Sequence, residues 1–312
     1  MHKSIDHAEL LAKPGYDVDL TRYDPAFTAG FRDKHDAREK LEADVAKFST
    51  LQDVFYADGR YALLIVFQGM DAAGKDGAIR HVMSAVSPQG IDVYPFKQPT
   101  SAELSHDYLW RCAKVLPERG RFAVFNRSYY EELTVVRVHR SLLVLERLPT
   151  QPSDRNVWKE RYQDVNGFER HLVRNGTIVI KFFLHVSKEE QRKRLLERID
   201  VPAKNWKISP ADIHERTFWE NYRRAHEQLL THTSTEDAPW YVIPADHKWF
   251  TRAAVADVIV SRLESLGLSY PALSNEAAAQ LASEGIRLAH ENELGSAPQS
   301  ELTTLGTTEA HD

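Results

Sequence analysis

The segment that most constrains this chain is a continuous apolar run, Tyr61–Gln68 (YALLIVFQ), that passes directly into Gly69-Met-Asp-Ala-Ala-Gly-Lys75-Asp76. An uninterrupted apolar run of this length has no polar face, so it fits a parallel strand covered on both sides. A glycine-framed loop follows, and then Ala78, Ile79 and Val82 open a helical pattern. Strand, loop and helix in this order form the unit of a doubly wound α/β fold. Similar short apolar runs recur at 121–126 (RFAVFN), 177–184 (TIVIKFFL) and 240–244 (WYVIP), with a weaker one at 91–96. The spacing predicts helices over 75–86, 101–116, 128–142, 155–174, 187–199, 209–232 and 249–267, after an amphipathic helix from Lys34 to Tyr56. The expected sheet is mainly parallel and five-stranded, flanked by helices.

Residues 1–30 carry Pro14, Gly15, Pro25 and Gly30 and read as an irregular arm. The body is expected over 31–271. In 272–312, seven acids face one base, Arg287, and no aromatic residue is present. That segment reads as a flexible acidic tail in which 272–293 can form an alanine-rich helix. No apolar run approaches the roughly 18 residues of a membrane helix. The N-terminus lacks the apolar core of a signal peptide, and the single cysteine, Cys112, excludes an internal disulfide. A cytoplasmic protein that neither enters a membrane nor binds nucleic acid is expected. The formal charge of −5 is concentrated in the tail, which leaves the body near neutral and able to hold a local basic cleft.

The loop at Gly69–Asp76 matches G-x-x-x-x-G-K. Glycines let backbone N–H groups approach phosphate oxygens, and the following helix N-terminus adds partial positive charge. Gly69, Ala72, Ala73, Gly74 and Asp76 are therefore candidate phosphate contacts, and Lys75 a point charge for a transferring phosphoryl group. The Ser or Thr that usually follows the lysine is replaced by Asp76. Asp71 inside the loop would repel phosphate unless a divalent cation stands between them, which makes it a candidate Mg2+ ligand. A second motif, Phe125–Glu132 (FNRSYYEE), ends another strand and should face the same crevice. Arg127 can stabilise a transferring phosphoryl group, and Glu131 or Glu132 can bind Mg2+ or orient an acceptor oxygen. Between Lys188 and Lys207 seven bases oppose four acids, and about 188–215 reads as a helical lid that shields the reaction from water. The aromatic residues Trp206, Trp219, Tyr222, Trp240, Tyr241, Trp249 and Phe250 read as packing. On these residues an ATP-driven nucleoside monophosphate kinase, a non-catalytic polyanion binder and a regulatory phosphate-loop switch all stay open.

The chain resembles the polyphosphate kinase 2 family from about Tyr23 to Pro271. The resemblance is carried by QGMDAAGKDG at 68–77, FNRSYYEE at 125–132, VVRVH at 135–139, FFLHVSKEEQ at 182–191, NWK at 205–207, SPAD at 209–212 and APWYVIPAD at 238–246. It implies a P-loop kinase fold like that of thymidylate kinase, a helical lid, Mg2+ as cofactor and a homo-oligomer, a tetramer or dimer. It also implies reversible phosphoryl transfer between polyphosphate and AMP, ADP or GDP. Asp71, Lys75, Arg127 and Glu132 take the catalytic places, with Asp71 and Glu132 as metal ligands. Glu132 stands where many relatives have Asp, and Tyr129 where many have His. Asn126 and Glu131 resemble members that accept AMP as well as ADP. Substrate contacts are expected from Arg80, Asn126, Tyr130, Glu131, Arg137, Arg194, Arg198, Lys204 and Lys207.

Overall fold

The computed structural model describes residues 4–149 and 154–290, without the side chains of 154–156. The rest of the tail, 291–312, lies outside the described residues, and so does the end of its expected helix. The elements in chain order are β1 (Leu11–Ala12), α1 (Lys34–Asp58), β2 (Ala62–Gly69), α2 (Lys75–Val82), β3 (Ile91–Pro95), α3 (Trp110–Ala113), β4 (Phe122–Asn126), α4 (Val135–Val138), α5 (Asp154–Arg174), β5 (Thr177–His185), α6 (Lys188–Asp200), α7 (Pro210–Glu215), α8 (Trp219–Thr233), β6 (Trp240–Pro244), α9 (Lys248–Glu264) and α10 (Asn275–Ala289).

The sheet runs β1-β6-β5-β2-β4-β3, parallel throughout except for β1, which pairs antiparallel with β6. The expected sheet of five strands therefore has six among the described residues. The sixth comes from the arm, whose Leu10, Ala12 and Leu20 are buried in the cores. A two-residue strand has no periodicity to read; its place is fixed by Val242 N–H donating to Leu10 C=O at 2.6 Å.

β2 lies between β5 and β4, and its side chains alternate into two cores. Leu63, Ile65 and Phe67 pack with α1, α2 and α9, while Leu64 and Val66 pack towards α5 and α8. Both cores need an apolar strand, which is why this run carries no polar face. Sheet order reverses around β2, so the crevice beyond the carboxyl ends of β2 and β4 is the expected ligand site.

Two expected helices are largely absent. Over 101–116 the chain makes a turn of 3₁₀ helix at Glu103–Ser105 and the short α3. Over 128–142 it makes 3₁₀ helix at Tyr129–Leu133, then α4, then 3₁₀ helix from Arg140 to Glu146. Thr134 breaks this stretch: its backbone leaves the helical region at φ −121°, ψ −76°, and its hydroxyl donates to the Tyr130 carbonyl at 3.1 Å.

The described residues up to Tyr270 form one compact unit, and those from Pro271 onwards a second. In the second, α10 is capped by Ser274, whose hydroxyl accepts from Ala277 N–H at 3.1 Å, and none of its residues is buried. Truncation after Pro271 should therefore leave the melting temperature within a few degrees and turnover within about twofold, because little apolar area is lost. Circular dichroism melts and a turnover assay on the shortened chain check this.

Candidate active site

The loop after β2 owes its shape to glycine. Gly69 has φ +147°, and a Cβ there would come within 2.7 Å of the Leu184 carbonyl oxygen on β5, so the two strands can approach only with glycine. Gly74, at φ +109°, opens α2. Lys75 begins that helix with its ammonium turned back into the loop, donating to the carbonyls of Gly69 at 2.7 Å and Met70 at 3.3 Å. Burial lowers its pKa to about 8, Arg127 adds to the depression, and Asp71, Glu131 and Asp76 oppose it.

The second motif meets this loop through Arg127. The backbone of Arg127 sits at φ +65°, a costly conformation for a residue with a Cβ. Its guanidinium bridges Asp71 at 2.6 Å and Glu131 at 3.0 Å. Glu131 first, and then Asp71, push the arginine pKa up, so this bridge keeps its charge. Asn126 donates to Asp76 at 2.6 Å, which ties the end of β4 to α2.

Helix α6 braces the loop from the other side. Gln191 donates to the Asp71 carbonyl at 3.0 Å, and its own side-chain oxygen accepts from Arg216 at 2.7 Å. Arg194, expected as a substrate cation, is buried and donates to the carbonyls of Ala72 at 3.0 Å, Ala73 at 2.8 Å and Ala245 at 2.5 Å. Those bonds make it a strut for the loop, because five donors in a planar fork can hold several carbonyls at once.

Three more expectations change. Tyr130 is fully buried and does not face the crevice. Its hydroxyl donates to Glu169 at 2.7 Å and accepts from Lys181 at 2.9 Å, and Glu169 also accepts from Tyr129 at 2.8 Å. Glu132 is engaged by the buried Arg161, which also holds Glu146, and the glutamate that shares Arg127 with Asp71 is Glu131. Burial, and secondarily the nearby Glu146, raise the Glu132 pKa to about 7 against the opposing pull of Arg161. Arg137 donates to the Tyr162 hydroxyl and lies over the Trp158 ring at 5.5 Å, and it lines neither of the cavities described below. Among the described residues no group of three or more His, Cys, Asp or Glu side chains could hold a metal ion.

Two cavities meet at Asp71 and Arg127. One, of about 900 Å3, takes in the loop, Lys75 and Asp76, and all of the expected cations Arg80, Arg127, Arg194, Arg198, Lys204 and Lys207 line it. Lys97, Lys248 and Arg252 join them; Lys248 and Arg252 start α9 and gave no signal in the sequence. Lys204 pairs with Glu197, and Lys207 lies over the Trp206 ring at 4.9 Å. Trp206 is 79% exposed, so it is not a packing residue; Trp240 and Phe250 are. The second cavity, of about 550 Å3, runs from Asp71, Arg127 and Glu131 past Trp219, Tyr222 and His226 to Leu104, Leu142 and Leu145. Glu215 spans its wall, accepting from Tyr222 at 2.7 Å and bonded to His139 at 2.8 Å. His226 is neutral there, its pKa lowered to about 3 by burial. No helix among the described residues is long and apolar enough to cross a membrane.

Comparison with known proteins agrees with this geometry. The family description Polyphosphate kinase 2 (PPK2) matches residues 31–268. An ADP-polyphosphate phosphotransferase of Rhodopseudomonas palustris is 50% identical over 258 residues, 82% of this chain and 89% of that one. An AMP/ADP-polyphosphate phosphotransferase of Meiothermus ruber is 43% identical over 260 residues, 83% of this chain and 93% of that one. The crystal structure of polyphosphate kinase 2 from Arthrobacter aurescens TC1 superposes with a TM-score of 0.82 at 37% identity, over 92% of this chain and 99% of that chain. A strand-braced phosphate loop, an arginine bridge to the second motif and a match over most of the chain lead to one statement: this protein belongs to the polyphosphate kinase 2 family of phosphotransferases.

Proposed function

We propose that this chain moves a phosphoryl group reversibly between inorganic polyphosphate and nucleotides, converting AMP and ADP to ADP and ATP, and GDP to GTP. The observation that carries this reading is the meeting of a cationic cleft and a less charged cavity at Asp71 and Arg127. A polyphosphate donor has no base; it needs cations along a path longer than one triphosphate. A nucleotide needs room for a nucleoside, with its phosphates directed at Arg127. In the forward direction an acceptor phosphate oxygen attacks the terminal phosphorus. The bond to the bridging oxygen breaks, and that oxygen leaves with the shortened polyphosphate. Lys75 and Arg127 stabilise charge on the phosphoryl group between the two.

Mg2+ fits this site in the manner usual for kinases, through one or two carboxylates completed by substrate phosphates. Asp71, about a third exposed at the junction, is the residue that would hold it. When bound, the ion supplies neutralisation of phosphate charge and polarisation of the phosphorus–oxygen bond. Arg127 already holds the Asp71 carboxylate in place. The same reading carries a homo-oligomer, tetramer or dimer, for which the exposed Val144 and Leu148 give apolar surface.

Several phosphate contacts make binding fall steeply with salt through counterion release. The KM for polyphosphate should therefore rise with ionic strength more than the KM for ADP. Neutralising Lys204 and Lys207 together should weaken polyphosphate use several-fold and leave ADP binding nearly unchanged. Initial rates from 50 to 300 mM salt would test this, at roughly the range where other polyanion binders lose affinity. Equal salt slopes for both substrates would contradict the assignment of the cleft.

A further inference from the structure

His226, on α8, is 3% exposed and lines the second cavity. Its ring lies 4.8 Å from that of Phe183, which pairs across the sheet with Gln68, the residue before the phosphate loop. Lys75 and Asp71 are near enough to push its pKa in opposite directions. The histidine therefore stands beside the loop, at the phosphate end of the cavity. Its Nδ1 lies 2.7 Å from the Tyr222 carbonyl, one helical turn earlier. A carbonyl can only accept, so Nδ1 carries the proton. Burial keeps the ring neutral, which leaves a lone pair on Nε2. Nε2 has no hydrogen-bond partner among the described residues, and it is not one of their unpaired side-chain atoms sealed from solvent. It is thus an open acceptor in the cavity wall, on a side chain otherwise buried. The donors nearby are committed elsewhere, the Tyr222 hydroxyl to Glu215 and the Lys75 ammonium to the Gly69 and Met70 carbonyls.

We propose that His226 accepts a hydrogen bond from a ribose hydroxyl of the acceptor nucleotide and so favours ribonucleotides over deoxyribonucleotides. This rests on the assignment of the second cavity to the nucleotide. A bare ring nitrogen calls for an O–H or N–H donor, which ionised phosphates do not offer. With the phosphate of AMP at Arg127, the ribose comes next along the cavity, and its hydroxyls are the first donors after the phosphate. The N–H groups of the base lie further on, towards Leu104, Leu142 and Leu145. A site that bonds a substrate hydroxyl disfavours the analogue lacking it, because its own acceptor is then left unpaired. Nε2 keeps open surface, so water can stand in for the missing hydroxyl. The preference is therefore on the scale of one neutral hydrogen bond.

The test is calorimetric binding at pH 8 without polyphosphate, comparing AMP with its 2′-deoxy and 3′-deoxy analogues. The protein should bind AMP about three- to tenfold tighter than at least one of the two, and the weaker analogue identifies the hydroxyl. His226→Phe keeps a ring against Phe183 and removes the acceptor, while the helix still bonds the Tyr222 carbonyl to the backbone N–H of residue 226. That variant should bind AMP and the sensitive analogue equally, with the KM for polyphosphate unchanged. His226→Asn, whose shorter amide stops short of the Nε2 position, should show the same loss and serves if His226→Phe does not fold. His226→Gln reaches that position with an amide oxygen and should restore most of the preference, which a residue serving only the fold would not do. Equal binding of all three nucleotides by the unaltered protein, or an unchanged preference in whichever of His226→Phe and His226→Asn folds, would overturn the proposal. The expected preference in a protein that makes no ATP from polyphosphate would instead defeat the functional reading and leave this one standing.

Discussion

Lys75→Met is expected to lose about 10²–10³-fold in turnover, the worth of a preorganised charge aimed at a developing oxyanion, without losing the fold. The pKa of the lysine bears directly on stability. It falls from 10.5 to about 8, chiefly through burial, so the folded state disfavours the ammonium. Folding therefore carries a penalty that is fully present below pH 8 and disappears as the pH rises towards 10.5. Removing the charge relieves roughly 3 kcal/mol on that shift. It also strips donors from the Gly69 and Met70 carbonyls, which costs about 1–3 kcal/mol each if water does not replace them. The two effects nearly cancel, and the melting temperature should stay within a few degrees. The same pKa sets the pH dependence: kcat/KM should decline as the pH rises through about 8, because the free enzyme loses the ammonium there. Thermal melts and a pH profile of turnover check both parts. A destabilised Lys75→Met protein, or a flat profile from pH 7 to 9, would place the lysine among structural groups.

Arg127→Lys should cost a similar factor, about 10²–10³-fold in turnover, although charge is conserved. A lysine is a point charge and cannot bridge Asp71 and Glu131 while facing a phosphoryl group; the planar fork of arginine can. Arg127→Gly separates the side chain from the backbone. Glycine relieves the strain at φ +65°, worth about 1 kcal/mol or more, but leaves Asp71 and Glu131 without their shared cation. It should be as inactive as the lysine variant at a stability close to that of the unaltered protein. Single-turnover rates with saturating substrates isolate the chemical step. Near-normal rates in either variant would remove Arg127 from the transfer step.

The centre of the fold was legible because β2 and the loop after it combine three local signals: an apolar run, framing glycines and a helix start. The arm was not, since β1 consists of two residues placed by pairing with β6. The helix expected over 128–142 failed on a local competitor, the Thr134 hydroxyl on the Tyr130 carbonyl. Charged residues were legible as cations or carboxylates but not by partner. Arg194 meets the Ala72 carbonyl 122 positions away, and Arg161 meets Glu132 29 positions away. Spacing along the chain says nothing about such pairs. One signal was present and unread: Lys181 interrupts the apolar run of β5. A charge in a strand buried on both faces must find a counter-charge, and Glu169 provides it at 2.6 Å beneath the second motif. That pair fixes Tyr129 and Tyr130, and the motif that carries Arg127 is built on them.

The central claim is the donor. An assay with purified protein, ADP, Mg2+ and long-chain polyphosphate, with ATP read by luciferase and adenylate kinase blocked by a specific inhibitor, tests it most directly. ATP should accumulate in proportion to enzyme and polyphosphate, and AMP in place of ADP should yield ADP. No ATP above the enzyme-free control, together with clear transfer from ATP to AMP or dTMP, would contradict the account and make this an ordinary nucleotide kinase.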